Sequence, residues 1–564
     1  MAASYALGHR KQCSGRDRAG WKPVPLGGMT RTIQHRKRDV DKPMETQPHS
    51  QPLTGAEVAI QTAAAAGIDV CFANPGTTEL YLVQALDRCP GVKPVLAVFE
   101  GVCTGAADGY ARVTGRPALA LLHLGPGLAN GQANLHNARK AHSPVVSIVG
   151  EHATWHIAAN APLTADIETL AQPMSQFVLT AKSPDTVGQD MAEVIARAAQ
   201  LPTGPTTLIL PGDIQWANVN TPPVQPEIAA PAPPDADETE RAARALRAGQ
   251  AALVLSGSAL RSAGLQAADR IERATGCRVL TPTFPPIQDR GIGLISPDKV
   301  PYAPEPASQL LEPYKNVILA GAHEPVAFFG YPNTRSSLCA EDAQLIQLCS
   351  ATIDPATALT ALADALDAPA VRTAPALPRP EVPSGPLTPA NMCRALAAAQ
   401  PEGAIVMDEG ATAGFAYHGM AGGAPPFTYM ALTGGSIGQG LPCAVGAAAA
   451  APNRPTICLE GDGSSLYTIQ SLWTMAREQQ NLTSIICKNR AYSILRWELE
   501  RAKMTPGEAS LSLTALDSPE FDFVKLAEGF GVEGRAVHTT EELNEALHSA
   551  FKNPGPLLIE ANLE

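Results

Sequence analysis

The chain has no run approaching the roughly 18 consecutive apolar residues that a membrane-spanning helix needs, so a membrane-embedded protein of that kind is not expected. Its eleven cysteines show neither the paired spacing of a zinc site nor the density of a disulfide scaffold. Most of them, as at Cys71, Cys458 and Cys487, sit inside apolar runs, a pattern that fits a reducing, cytoplasmic setting. No Gly-x-Gly-x-x-Gly follows a strand-like segment. Ser256-Gly257-Ser258 and Ala320-Gly321-Ala322 read instead as ordinary strand-to-helix turns. An excess of positive charge is missing too: a formal net charge of −12 argues against wholesale nucleic-acid binding and leaves small anionic substrates open.

What is present is a chain of 564 residues, 45% hydrophobic and 17% charged, the balance of a globular protein too long for one core. Three domains are expected. Residues 1–50 stand apart, with Arg10, Lys11, Arg16, Arg18, Lys22, Arg31, Arg36, Lys37 and Arg38 against Asp17 as the one early acid. They read as a disordered basic extension or an over-long start, since a targeting segment would show an amphipathic apolar stripe and more serine. Two Pro/Ala-rich stretches, 221–237 and 368–389, read as linkers that separate blocks at 51–221, 238–367 and 390–564. Each block alternates short β-branched runs with Ala-rich helical stretches, which is the pattern of βαβ units. Strands are expected at 70–73, 95–99, 118–123 and 144–149, then at 252–256, 278–280 and 317–320, then at 404–407, 456–459 and 484–488. The fold class is therefore α/β, with three open, mostly parallel-sheet domains.

In the last block, a strand over 456–459 runs into Gly461-Asp462-Gly463, followed by Leu466, Ile469, Leu472, Trp473 and Ala476 at helical spacing. A second strand then ends at Asn489. A right-handed crossover brings the carboxyl ends of two such strands to one sheet edge, so Asp462 and Asn489 can meet there. A carboxylate, an amide oxygen, a backbone carbonyl and phosphate oxygens make the hard oxygen shell that Mg²⁺ prefers. Gly461 and Gly463 let backbone approach a diphosphate, and the N–H groups of Ser464 and Ser465 open the next helix toward it. Gly-Asp-Gly by itself is more often just a tight turn; the spacing to Asn489 raises its meaning.

In the first block, Glu100 comes at the carboxyl end of a strand flanked by apolar residues, where a carboxylate is placed to share a proton. A plain helix-start acid complementing the dipole is the competing reading. His123 ends the next strand beside Gly125-Pro126-Gly127 and projects at the same edge, while His136, His142, His152 and His156 read as structural.

The string Gly461-Asp462-Gly463-Ser464 through Lys488-Asn489-Arg490-Ala491 resembles the thiamine-diphosphate-dependent enzymes, as do Thr433-Gly434-Gly435-Ser436-Ile437-Gly438-Gln439-Gly440 and Glu100-Gly101 through Ala106-Ala107-Asp108-Gly109-Tyr110-Ala111-Arg112. The resemblance covers about residues 53–562 and points to acetolactate synthase and benzoylformate decarboxylase. It implies a pyrimidine-binding first domain, a central domain and a diphosphate-binding last domain. By resemblance, Asp462, Asn489 and the Ala491 carbonyl hold Mg²⁺, and Ile437 props the cofactor in its bent form. Thr412 touches the diphosphate, and Thr77 stands where a substrate-binding serine would. Glu100 drives formation of the thiazolium ylide, and His123 relays protons as in benzoylformate decarboxylase. The ylide adds to a small 2-oxo acid, CO₂ leaves, and the enamine is either protonated, a lyase outcome, or joined to a second oxo acid, a transferase outcome.

Trp497 follows Asn489 by eight positions, the benzoylformate decarboxylase spacing rather than the nine of acetolactate synthase. Two departures are Lys488 for the first Asn of the usual pair, and Glu151 for a Gln. Acetolactate synthases carry FAD in the central domain; FAD is possible here but unsupported, and this domain reads as a spacer. Alternatives are acetolactate synthase proper and a catalytically reduced paralogue with a regulatory role. Because Glu100 lies in the first block and the metal group in the last, the cofactor must lie between two blocks. Docking them within one chain across the middle block and two linkers should be entropically expensive. A homodimer or homotetramer, the first block of one subunit facing the last block of its partner, is what the resemblance implies.

Overall fold

The computed structural model describes residues 52–370 and 377–564; the basic extension lies outside the described residues. Three large sheets follow one another along the chain, beside a two-stranded ribbon pairing Leu53–Thr54 with Asn218–Val219. The first is six-stranded and parallel, in the order Lys93–Leu96, Val70–Asn74, Ala118–Leu122, Val145–Glu151, Thr206–Pro211, Phe177–Thr180. Its central strands are buried on both faces, which is why they read as unbroken apolar runs rather than as alternation. The second sheet is five-stranded and parallel, in the order Asp298–Lys299, Arg278–Thr281, Ala251–Leu255, Asn316–Ala320, Gln344–Gln347. The third has seven strands: Gln288–Arg290, Phe427–Ala431, Ile405–Glu409, Thr456–Gly461, Leu482–Lys488, Leu557–Asn562, Glu533–Val537. All are parallel except Gln288–Arg290, an edge strand lent by the middle block.

Chain direction reverses across the sheet at one place in each outer block. In the first sheet it lies between Val70–Asn74 and Ala118–Leu122, and in the third between Ile405–Glu409 and Thr456–Gly461. The carboxyl ends of two strands diverge at such a switch point, and the crevice left there is where open α/β sheets bind ligands.

Several expectations are corrected. The strand placed at 95–99 is Lys93–Leu96, so Glu100 does not follow a strand directly; it opens the helix Glu100–Thr114 after three intervening residues. The helix expected after Gly-Asp-Gly is split into Asp462–Ser465 and Ser471–Arg477. Between them Thr468 leaves the helical path and donates its hydroxyl to Gly438 O at 2.9 Å.

The outer blocks also dock within one chain, against the entropic expectation. Helix Glu100–Thr114 crosses helix Gly440–Ala450 with backbones in near contact. A Cβ on Gly109 would stand 1.9 Å from Cys443 O, and one on Gly446 1.9 Å from Ala106 O. Small residues remove the side-chain layer between the helices, and one continuous apolar cluster spans both blocks, including Val102, Ala106, Leu441, Ala444 and Ala447. That burial outweighs loop closure, whose cost grows only logarithmically with loop length.

Candidate active site

At the third sheet's switch point the two strands end in Glu409 and Gly461, and Asp462 begins the next helix. Asp462 is 4% exposed, and its carboxylate accepts the Gly463 N–H at 2.8 Å and the Arg490 N–H at 2.6 Å. No ion pair to it exists among the described residues, and burial pushes its carboxyl pKa up. A buried carboxylate without a counter-charge is unstable as an anion unless a cation joins it. Arg490 takes a left-handed φ of 61°, a tight turn that leaves the Asn489 side chain bonded through Oδ1 to the Ala491 N–H at 3.0 Å. Asp462, Asn489 and Ala491 thus share one turn-lined edge. Lys488 points elsewhere, its ammonium held by Glu560 at 2.8 Å and Glu520 at 2.9 Å.

Gly463 is small for a packing reason: a Cβ there would lie 2.4 Å from the Tyr492 ring. Ser464 and Ser465 are buried; Ser465 Oγ donates to Asp462 O at 2.8 Å, and the Ser464 hydroxyl bonds Glu409. Thr412 is half-buried in the first turn of helix Ala411–Met420. Ile437, Ser464, Glu409 and Ala411 line a cavity of 200 Å³.

The middle block is no spacer. Phe284, Tyr302, Phe328, Phe329 and Lys299 form one wall of that cavity, facing Phe415, Ile494, Leu495 and Glu498. Tyr302 stacks on Phe415 with centroids 6.2 Å apart and meets the Trp497 ring at 5.9 Å. Glu498 accepts the hydroxyls of Tyr302 at 3.1 Å and Tyr331 at 3.0 Å and pairs with Arg501 at 2.9 Å. The middle block's Phe284, Tyr302, Phe328, Phe329 and Tyr331 escaped sequence reading because they sit on loops with no periodicity; the adjacent Phe328-Phe329 was the available signal.

At the first sheet's switch point stand Thr77 and His123. His123 Nδ1 donates to Glu79 Oε2 at 2.8 Å; Glu79 is fully buried and also accepts the Gly76 N–H at 2.8 Å and the Thr78 hydroxyl at 2.5 Å. The ring packs on Gly76, where a Cβ would fall 2.1 Å from Nδ1. Glu79 was not singled out from sequence, and Thr77, exposed, takes no part in this network. Glu100 is buried, with Oε2 accepting from Asn130 at 3.0 Å. Glu100 and His123 do not line the 200 Å³ cavity of their own chain.

In the middle block a 720 Å³ cavity lies at the carboxyl ends of strands Ala251–Leu255 and Asn316–Ala320, bordered by Ser256, Gly257, Ser258, Gly321, His323 and Asp354. The Ser258 hydroxyl at its turn is already used. Ser258 Oγ donates to Asp354 at 2.6 Å and accepts from Ala356 N, and Asp354 takes the Thr357 N–H. The Asp354 carboxylate at that turn would repel a flavin diphosphate, so FAD gains no support here.

Residues 53–174 match the model of the thiamine pyrophosphate enzyme N-terminal TPP binding domain, and residues 410–561 that of the C-terminal TPP binding domain. The chain is 46% identical over 512 residues to a Mycobacterium tuberculosis protein assigned by name to the acetolactate synthase large subunits, IlvX, covering 90% of this chain and 98% of that one. It is 30% identical over 539 residues to benzoylformate decarboxylase of Pseudomonas aeruginosa, covering 88% and 96%. The thiamine diphosphate-dependent 4-hydroxybenzoylformate decarboxylase of Rhodococcus jostii RHA1 superposes with a TM-score of 0.78 at 26% identity, covering 91% of this chain and 99% of that one. The chain therefore belongs to the thiamine-diphosphate-dependent enzymes, in the family of the acetolactate synthases and benzoylformate decarboxylases.

Proposed function

We propose that this enzyme is a Mg²⁺-dependent decarboxylase of bulky, aryl-type 2-oxo acids, working in the cytoplasm as a homodimer or dimer of dimers. Residues 51–221 would act as the pyrimidine-binding domain, 238–367 as the central domain and 390–564 as the diphosphate-binding domain. The observation that carries the reading is the His123–Glu79 pair. A buried carboxylate on Nδ1 fixes the tautomer and leaves Nε2 to pass a proton, at the same sheet edge as Glu100.

Bound thiamine diphosphate supplies a nucleophilic thiazolium carbon and the electron sink for loss of CO₂. The chain's residues do the rest. Asp462, Asn489 and the Ala491 carbonyl would hold Mg²⁺ with the diphosphate, the cation answering the uncompensated Asp462 charge. Gly461, Gly463, Ser464, Ser465 and Thr412 would bound the diphosphate end, and Ile437 the ring end. Glu100 Oε2 is anchored by Asn130, and Oε1 would share a proton with a ring nitrogen of the aminopyrimidine. His123 Nε2 would hand a proton to the product carbon as the aldehyde leaves. The rings of Phe284, Tyr302, Phe328, Phe329 and Phe415 give the cavity an aromatic lining that suits an aryl group better than a methyl. Since Glu100 and His123 do not line their own chain's 200 Å³ cavity, a second subunit would complete each site across a two-fold axis. The ten described cysteines are all free and buried, which supports a reducing compartment.

One observation favours carboligation as a second reading. Lys299 lines the cavity with no hydrogen-bonded partner among the described residues, and would hold the carboxylate of a second oxo acid. The test is CO₂ release from benzoylformate, 2-oxobutyrate and pyruvate. Benzoylformate should turn over fastest, and His123→Ala should lower its rate by about 10²–10⁴-fold with cofactor affinity kept. Preference for pyruvate with 2-acetolactate as product would establish the second reading instead.

A further inference from the structure

Ile437 projects from a loop, 433–440, that is tied down on nearly every side. Asn137 of the first block holds Ser436 through both backbone groups, Oδ1 accepting its N–H at 3.3 Å and Nδ2 donating to its carbonyl at 2.7 Å. His136 Nε2 donates to Gly434 O at 3.0 Å, and Thr468 and Asn134 donate to Gly438 O at 2.9 and 3.3 Å. Gly435 and Gly438 have φ of +75° and +90°, so the loop is bent where only glycine is comfortable. Ile437 itself makes no polar tie among the described residues. Its position is set by its neighbours.

On the far side of the loop one side chain does what several do on the near side. Glu409, at the end of strand Ile405–Glu409, is 2% exposed and accepts the Gly438 N–H through Oε1 at 2.7 Å and the Gly440 N–H through Oε2. The two N–H groups reach separate oxygens, which a carboxylate supplies, whereas a carboxamide puts an NH₂ donor in place of one of them. The junction is also closed sterically. A Cβ on Gly440 would lie 1.9 Å from Glu460 Oε2 and 3.0 Å from Glu409 Cβ, so the backbone rests directly on the two buried acids.

We infer that Glu409 is a positioning residue: by gripping Gly438 and Gly440 together it sets where Ile437 stands in the 200 Å³ cavity, and so how the cofactor's ring end is presented. The inference rests on the proposed placement of the ring end against Ile437. Glu409→Gln keeps the volume and replaces one acceptor with a donor that faces the N–H of either Gly438 or Gly440. The loop should then shift on that side only, because Asn137, His136 and Thr468 remain in place.

The experiment uses the full chain with thiamine diphosphate and Mg²⁺. Glu409→Gln should bind the cofactor with an affinity near that of wild type and melt at a similar temperature. Its kcat should fall by about tenfold to a hundredfold, the scale of an ångström of misplacement, with KM for the oxo acid little changed. The near-ultraviolet circular dichroism of the bound cofactor should change as well. Ile437→Ala combined with Glu409→Gln should be no slower than Ile437→Ala alone, since both act through one contact. A wild-type kcat in Glu409→Gln, or multiplicative losses in the double variant, would overturn the inference. So would a loss of kcat matched by equal losses in melting temperature and cofactor affinity, which mark a merely structural role. If Glu409→Gln does not accumulate folded, Glu409→Asp, which keeps both oxygens and withdraws them by one methylene, carries the same expectations. A wild-type protein that fails to bind thiamine diphosphate would instead defeat the active-site reading beneath the inference.

Discussion

Replacing Asp108 with alanine tests how the two outer blocks are joined. Asp108 and Arg112 form a bidentate pair at 2.7 and 2.8 Å, with side chains 0% and 1% exposed. The carboxylate also accepts the Ser143 hydroxyl and Gln439 Nε2, both at 2.5 Å. Arg112 spends its remaining donors on Ala431 O at 2.9 Å, Pro286 O at 3.2 Å and Thr433 Oγ1 at 2.9 Å, reaching the middle and last blocks. Asp108→Ala leaves the guanidinium buried without its counter-charge, a change that costs about 3–5 kcal/mol. Ser143 and Gln439 lose an acceptor too, but part of that loss is shared and does not add in full. Because Thr433 and Gln439 flank Ile437, cofactor affinity should fall along with stability. Equilibrium urea unfolding measures the first effect and calorimetric titration of thiamine diphosphate the second. Arg112→Met added to Asp108→Ala should recover part of the lost stability, since the stranded charge is then gone. A loss below about 1 kcal/mol in Asp108→Ala would refute the argument that this pair clamps the blocks.

Three further outcomes follow from the site. Asp462→Ala, or chelation of divalent cations from the wild type, should abolish thiamine diphosphate binding in calorimetry; retained affinity would remove Asp462 from the metal group. Glu100→Gln should still bind cofactor while exchange of its thiazolium proton with deuterated water slows by orders of magnitude, and an unchanged rate would exclude Glu100 from that step. Mixing Glu100→Gln with Asp462→Ala subunits under exchange should restore roughly a quarter of wild-type activity, as two-fold sites built from both chains require. Continued inactivity with exchange demonstrated would mean that each site is built within one chain.

How much could be read beforehand depended on sequence distance. Asp462 and Asn489 were legible because a single right-handed crossover joins adjacent parallel strands, and local spacing alone brings their ends together. The expected strands were found in all three sheets, with 95–99 displaced to Lys93–Leu96. Its residues 97–99 turn aside before the helix, and neither branching nor hydrophobicity distinguishes that turn from a strand end. Gly463 was read as room for a ligand, whereas Tyr492 fills the space. An absent side chain tells only that something comes close.

The sequence by itself determined the parallel α/β class, the glycines that permit close backbones, and the one-crossover pairing of Asp462 with Asn489, because these depend on period and short spacing. Tertiary structure alone decided which distant groups meet. It set Glu79 on His123, Glu409 beneath the Gly438–Gly440 backbone, and the middle block's aromatic rings on the cavity wall. It also docked helix Glu100–Thr114 on helix Gly440–Ala450. Sheet order and the burial of small-residue helix faces fix those meetings, and neither leaves a periodic trace in the chain.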